Sequence, residues 1–308
     1  MSVSRREFLE RLAGTAAVLA AADCLDPGTH GTGFQVGPVP AKGISWGYAS
    51  ITWDGRDLVA IDEISALGFR GIQLRSNILP QFGERPQALR ELLAERKLTF
   101  VALSSGGVKL DPEVEQTVID EHVAHARFLR DAGGRFLQVT DERPPGRPVS
   151  HADCDRLAHL LNEIGRRTAE IGVPLAYHPH MGSIGERPAD VDRVLDATDA
   201  AYVRLLLDVA HYQQGGGDPI AAIRRYHDRL LFLHLKDVEK ATGSKPDYRF
   251  VELGRGHVDL RGILRTLQTI GFNGWAVIEL DAVPDPSRSP AECALISKRY
   301  LESLGISI

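Results

Sequence analysis

The chain has 308 residues, a formal charge of -5 and 43% hydrophobic residues. That is an ordinary globular composition, with room for one large domain or two medium ones. The mild negative charge argues against a general nucleic-acid binder, which would show a basic face. Three cysteines, at 24, 154 and 293, have no metal-ligand spacing and form no disulfide framework. Cys154 and Cys293 could pair, but two unpaired thiols is the simpler reading.

Residues 1–24 are expected to be a signal segment outside the fold. Ser4-Arg5-Arg6-Glu7-Phe8-Leu9 matches the twin-arginine export pattern, and an Ala/Leu-rich run over 12–22 follows. That run is too short and too weakly hydrophobic to span a bilayer well. The alternative is an amphipathic helix with a chance arginine pair. Export by the twin-arginine machinery would place the protein in the periplasm or at the cell surface. Cleavage is expected between Ala20 and Asp23. Residues 25–42, rich in Gly and Pro, read as a linker.

From residue 44 short apolar runs alternate with longer amphipathic ones. Strands are predicted at 44–48, 71–74, 99–103, 136–140, 174–178, 203–208, 230–235 and 275–280. Helices are predicted near 57–67, 85–96, 112–132, 151–171, 188–197, 218–228, 259–271 and 290–304. Ala66-Leu67-Gly68 and Ile270-Gly271-Phe272 place a glycine at a helix end. Asp111-Pro112 and Asp218-Pro219 place a cap before a first-turn proline. Strict alternation predicts a parallel sheet, and eight units predict a closed α/β TIM barrel, (β/α)8, over 43–308 as a single domain. No Gly-x-Gly-x-x-Gly follows the first strand, which disfavours a dinucleotide fold.

Four predicted strands in the second half end in a potential metal ligand: His178, Asp208, His234 and Glu279. In a parallel barrel the C-terminal strand ends open onto one face, so these four tips can converge. Their mixed oxygen and nitrogen donors suit manganese, cobalt, iron or zinc better than calcium, with magnesium a poorer fit. His180 lies two positions after His178, and Lys236 two after His234, so each can face the same side as its partner. Lys236 could have a lowered pKa, hold a substrate oxygen, or bridge to Asp237 or Glu239. His180 could instead be held by a backbone carbonyl. His211, three residues after Asp208, is a candidate for substrate binding or proton transfer. Trp46, Tyr48 and Trp53 could form an apolar wall against a bound ring, whereas Trp275 reads as core. Segment 237–250 reads as a solvated loop over the mouth.

These motifs support a comparison. Tyr177-His178-Pro179-His180-Met181-Gly182-Ser183, Leu206-Leu207-Asp208-Val209-Ala210-His211 and His234-Leu235-Lys236-Asp237-Val238 carry it, with Gly216-Gly217-Asp218-Pro219 and Gly271-Phe272-Asn273-Gly274-Trp275. The chain resembles the xylose-isomerase-like barrel superfamily of sugar isomerases, epimerases and endonuclease IV. Within it the likeness is greatest to the inosose dehydratase family. The resemblance implies one divalent ion held by Glu, Asp, His and Glu at the ends of strands five to eight, here His178, Asp208, His234 and Glu279. The first position departs from the usual glutamate. His178 or His180 could supply that ligand, or neither. Gln73 stands where many relatives carry a glutamate after strand two. The segment 252–260 resembles the superfamily's glycine-rich loop, from which Arg255 and His257 could reach substrate, while Asp259 could simply cap a helix. The implied reaction is proton abstraction next to a metal-polarised carbonyl of a keto sugar, inosose or oxidised glycoside. His180, Lys236 or a carboxylate such as Glu279 would act as base. The outcome would be elimination, as in a dehydratase, or isomerisation. Rival readings are an inactive carbohydrate-binding barrel and an endonuclease IV-like repair enzyme, the latter disfavoured by charge and export.

Overall fold

Runs rich in Val, Leu, Ile and Phe, each too short for a helix, form the strands, and they do so in the predicted order. The computed structural model describes residues 43–308 apart from 242, 244 and 245. The expected signal segment, 1–24, and the expected linker, 25–42, lie outside the described residues. The barrel strands are β1 Ile44–Ala49, β2 Gly71–Arg75, β3 Thr99–Val108, β4 Phe136–Asp141, β5 Leu175–Tyr177, β6 Val203–Asp208 and β7 Leu230–Leu235. A hairpin, β8 Asp237–Lys240 and β9 Tyr248–Val251, precedes the last barrel strand, β10 Gly274–Ile278. The eight barrel strands close in sequence order, with β1 pairing both β2 and β10, all in parallel. Among the described residues no helix is long and apolar enough to cross a membrane.

Side chains alternate between two layers because the strand period is two. Inward-facing Ala49, Ala176, Leu206, Phe232, Trp275 and Val277 fill the barrel interior. Phe232 stacks on Phe136 there, with ring centroids 5.4 Å apart. Gly71 is required at this level, because a Cβ on it would lie 2.3 Å from the Trp275 ring. The N-terminal half of the barrel is thus packed solid, as in other barrels of this type. Trp275 is core, as expected.

The proposed aromatic wall is corrected. Trp46 and Tyr48 alternate with inward-facing Gly47 and Ala49, so they point outward. Trp46, Tyr48 and Trp53 are 5%, 0% and 0% exposed and belong to the layer between strands and helices. None of the three lines the mouth.

The helices include α1 Asp57–Ala66, α2 Pro86–Glu95, α3 Glu115–Asp131, α4 His151–Glu170 and α5 Pro188–Asp196. They continue with α6 Val209–Gln214, α7 Pro219–Arg225, α8 Leu260–Thr269 and α9 Pro290–Ser303. Caps fall where the sequence places them. Asp218 accepts hydrogen bonds from the N–H groups of Ile220 and Ala221, and Asp259 accepts one from Gly262. Cys154 and Cys293 are free and buried.

Segment 237–250 is also corrected. Residues 237–240 and 248–250 are not solvated loop but belong to the antiparallel β8–β9 hairpin, paired from Asp237↔Val251 to Lys240↔Tyr248. Asp237 is 1% exposed. Its carboxylate accepts from the backbone N–H groups of Val238, Gly254, Gly256 and Val258 at 2.9–3.0 Å. The glycines of the 252–260 loop have a reason: Gly254 has φ +82°, and a Cβ on Gly256 would lie 2.3 Å from the Asp237 carboxylate.

Candidate metal centre

Above the packed interior, the inward positions nearest the C-terminal ends are polar. His178 follows β5, Asp208 ends β6, His234 lies in β7 and Glu279 follows β10. One ligand atom from each lies within 4.8 Å of all the others, and all four residues are buried. The four strand tips therefore meet, as their positions predict. His234 Nδ1 is 3.3 Å from Glu279 Oε1 and 3.6 Å from Asp208 Oδ2.

Asp208 and His234 are each oriented by bonds at one polar atom, which leaves the other aimed at the common point. Asp208 Oδ1 accepts from the N–H groups of Ala210 and His211 at 2.9 Å, capping α6 and freeing Oδ2. The Nε2–H of His234 donates to Gln73 Oε1 at 2.8 Å, which puts the imidazole lone pair on Nδ1. Gln73 in turn donates through Nε2 to Gln138 Oε1 and Glu279 Oε2 at 2.9 and 3.3 Å.

Five buried side-chain polar atoms among the described residues lack a hydrogen-bond partner, and three of them are here: His178 Nδ1, Asp208 Oδ2 and His234 Nδ1. Leaving buried polar atoms unmatched costs about 1–3 kcal/mol each, so a cluster of three facing one point calls for positive charge, a proton on His234 or a metal ion in its place. The charges agree. Asp208, Glu279 and Asp281 face one lysine, Lys236; once His234 gives up its proton, that is an excess of two negative charges that a divalent ion would balance. The residues fit such an ion.

The protonation equilibria match that picture. Burial pushes the His178 pKa well below the usual histidine range, and nearby His234 and His180 lower it further. Burial alone would also lower His234, but Glu279 and Asp208 outweigh it and push it up to about 9. Burial would raise the Asp208 and Glu279 carboxyls, yet Lys236 and His234, with His211 beside Asp208, hold both well below their usual range.

Lys236 is fully buried at the rim of this cluster. Its Nζ lies 2.7 Å from Asp281 Oδ1, 2.9 Å from Glu279 Oε1, 3.1 Å from His211 Nε2 and 3.3 Å from Asp208 Oδ2. The expected alternative bridge to Asp237 or Glu239 is not made. Burial would lower the Lys236 pKa, but Asp208, Asp281 and Glu279 raise it well above the ordinary lysine value. Lys236 is therefore a buried cation and not a lysine with a lowered pKa.

His211 stands beside it, with Nδ1 3.4 Å from the N–H of Met181. His180 is half-buried. It is held through Nδ1 by the Met181 carbonyl at 2.6 Å, as the simpler reading expected, and its ring lies 3.7 Å from that of His211. It also lines the mouth cavity, together with His178, Glu279, Gln73, Gln138 and Asp281. The four-residue cluster contains His178 and not His180, while His180 forms a second three-histidine group with His178 and His211. Arg255 and His257 are corrected: both are exposed and neither lines the cavity. Arg255 lies 3.8 Å from Glu252 instead.

Three site residues escaped sequence reasoning. Gln138 sits at an inward position of β4 and Asp281 two residues after Glu279, so strand parity could have found both. Phe250 could not be found that way. The hairpin brings its ring 4.8 Å from His211 and 4.6 Å from Lys236 Nζ, and the hairpin itself was missed.

Comparison with known proteins agrees with this geometry. Residues 61–299 match the family profile described as xylose isomerase-like TIM barrel. The chain is 28% identical over 298 residues to an inosose dehydratase of Lacticaseibacillus casei, covering 84% of this chain and 97% of that protein. It is 27% identical to one of Bacillus velezensis, covering 84% and 96%. Among solved structures, the IOLI protein with a binding zinc atom superposes with TM-score 0.72 at 17% identity, covering 85% of this chain and 98% of that one. D-psicose 3-epimerase with D-tagatose, from Clostridium cellulolyticum H10, superposes with TM-score 0.69 at 16% identity, covering 85% and 99%.

Proposed function

The chain belongs to the xylose isomerase-like TIM barrel family, and from that premise we propose that it is a divalent-metal-dependent lyase or isomerase of a keto sugar. Elimination, as in a dehydratase, is the favoured outcome. The observation that carries this reading is the set of three buried ligand atoms without a hydrogen bond, on His178, Asp208 and His234, converging with Glu279 at the barrel mouth. The inosose dehydratase relatives support the lyase side.

His178, Asp208, His234 and Glu279 would hold the ion, which when bound supplies Lewis acidity to a carbonyl and so acidifies the neighbouring C–H. Manganese, cobalt, zinc and iron suit these donors better than magnesium. Lys236, a buried cation behind the cavity-lining Glu279 and Asp281, would balance charge that develops there and hold a substrate oxygen that reaches it. His180 faces the cavity and is oriented by the Met181 carbonyl, so it is placed to take a proton from carbon and return it to another atom. In elimination that proton leaves with the β-hydroxyl or a β-linked group. In isomerisation it returns to carbon. Phe250 and the hairpin cover Lys236 and His211 from one side and restrict water.

We also propose that residues 1–24 direct twin-arginine export, which suits a carbohydrate met outside the cytoplasm. The charge of -5 keeps nucleic acid disfavoured as a substrate. The reading is tested by stripping the protein of metal, reloading it with each ion, and screening keto-inositols, ketohexoses and 3-keto-glycosides with NMR of the products. Turnover that returns with metal is expected. A pure protein that binds sugar but neither retains metal nor turns over any of these compounds would instead be a carbohydrate-binding barrel.

A further inference from the structure

The mouth does not end at the metal centre. An inner cavity of about 220 Å³ reaches outward to Thr140 and His180. The same two side chains line a middle cavity of about 360 Å³, with Glu142, Arg143 and Ser183. Glu142 and Arg143 in turn line an outer cavity of about 430 Å³, with Lys109, Pro144 and Arg147. Shared lining residues place the three side by side, from the barrel mouth across the end of β4 to the exposed 142–147 segment.

The inner cavity, about 220 Å³, is of a size to take one sugar ring. The remaining space is larger than the inner cavity itself. Building on the reading above for the ring at the metal, we propose that the middle and outer cavities form a subsite for a second group joined to that ring. The substrate is then a glycoside of at least disaccharide size, not a free monosaccharide.

The walls are built rather than incidental. Asp141 is 6% exposed, and its carboxylate accepts from the hydroxyl of Tyr177 at 2.8 Å and from the N–H of Ile184. That fixes the 178–184 segment against β4. Arg147 makes two 2.6 Å bonds to Asp153, which ties the 142–147 segment to the first turn of α4. The lining carries both charge signs, and Asp153 neutralises Arg147. A neutral polyhydroxylated group fits such walls better than a phosphate does. Pro144 and Pro145 add rigid apolar surface for the C–H face of a second ring.

The test compares a keto-disaccharide with its keto-monosaccharide, using metal-loaded full-length protein, in wild type, Arg143→Ala and Pro144→Trp. Both variants alter the outer walls and leave the metal cluster untouched. We expect KM for the disaccharide to rise about tenfold with kcat little changed, the pattern of lost uniform binding. KM for the monosaccharide should stay within about twofold. Equal effects on both substrates, or none on either, would overturn the subsite. If neither compound is turned over, the lyase or isomerase reading falls, and calorimetry with a β-linked glucose disaccharide and glucose decides the subsite separately. Disaccharide binding about tenfold tighter, with that preference lost in Arg143→Ala, supports it. Equal or undetectable binding of both overturns it.

Discussion

At the scale of single residues, the site works by assigning each polar side chain one task per atom. Asp208 spends one oxygen on two backbone N–H groups and keeps the other for the centre. Asp208→Ala and Glu279→Ala should each lose bound ion, as measured by elemental analysis, while circular dichroism stays normal. Wild-type occupancy in both variants would remove the proposed centre. His178→Glu should retain the ion, since carboxylate is the usual group at this position in the family, whereas His178→Ala should weaken binding about tenfold or more. His180→Ala should keep the ion and lower turnover by about 100-fold to 10,000-fold; the reverse pattern would exchange the two roles. The raised His234 pKa gives a pH test. Its folded value, about 9, lies above the ordinary 6.5, so the metal-free protein keeps a proton there until pH 9. Metal must expel that proton. Apparent affinity should therefore climb about tenfold per unit as pH rises towards 9 and then flatten, as titrations with a competing chelator would show. The same shift stabilises the metal-free fold fully below pH 6.5, and that contribution is lost as pH rises through 9. A flat affinity from pH 6 to 9 would mean that His234 is not displaced from a proton.

At the scale of elements, strand positions were legible because short apolar runs between glycine and proline signals leave little choice, and inward parity then orders the side chains. Ligand convergence was legible for the same reason: all four residues sit at strand ends, and the topology brings strand ends together. What was not legible depends on contacts between distant segments. Trp46 reads as a site aromatic until its parity against Ala49 is fixed by register with β10. Arg255 and His257 sit on a loop whose direction is set by Asp237, not by their own neighbours. Each strand of the β8–β9 hairpin has only four residues, too few to stand out as a strand, and the pairing brings Phe250 over Lys236. Asp237 is the anchor of that region. Asp237→Ala should strand several buried N–H groups and cost about 3 kcal/mol, read as a lower urea midpoint. Asp237→Asn, which keeps one acceptor oxygen, should cost clearly less. If Asp237→Ala unfolds at the wild-type midpoint, the hairpin is held by something else.

At the scale of the whole molecule, the barrel divides its labour along its axis. The N-terminal half is filled by Trp275, Phe232 and Phe136, which gives rigidity, and the C-terminal half carries charges that such packing holds in place. A folded barrel with its ion already seated is also the kind of cargo the twin-arginine route carries, since that route moves folded proteins. This joins the two ends of the chain into one expectation. On the proposed export reading the receptor would read the Arg5-Arg6 pair itself, so replacing both with lysine preserves charge but should trap the precursor in the cytoplasm, still folded and still loaded. Fractionation followed by elemental analysis of the trapped protein checks both halves at once. Full-yield appearance of the double variant in the periplasm or at the cell surface would remove the export reading. A trapped precursor lacking metal would instead place loading after transport, and the order of folding, loading and export proposed for this chain would have to be reversed.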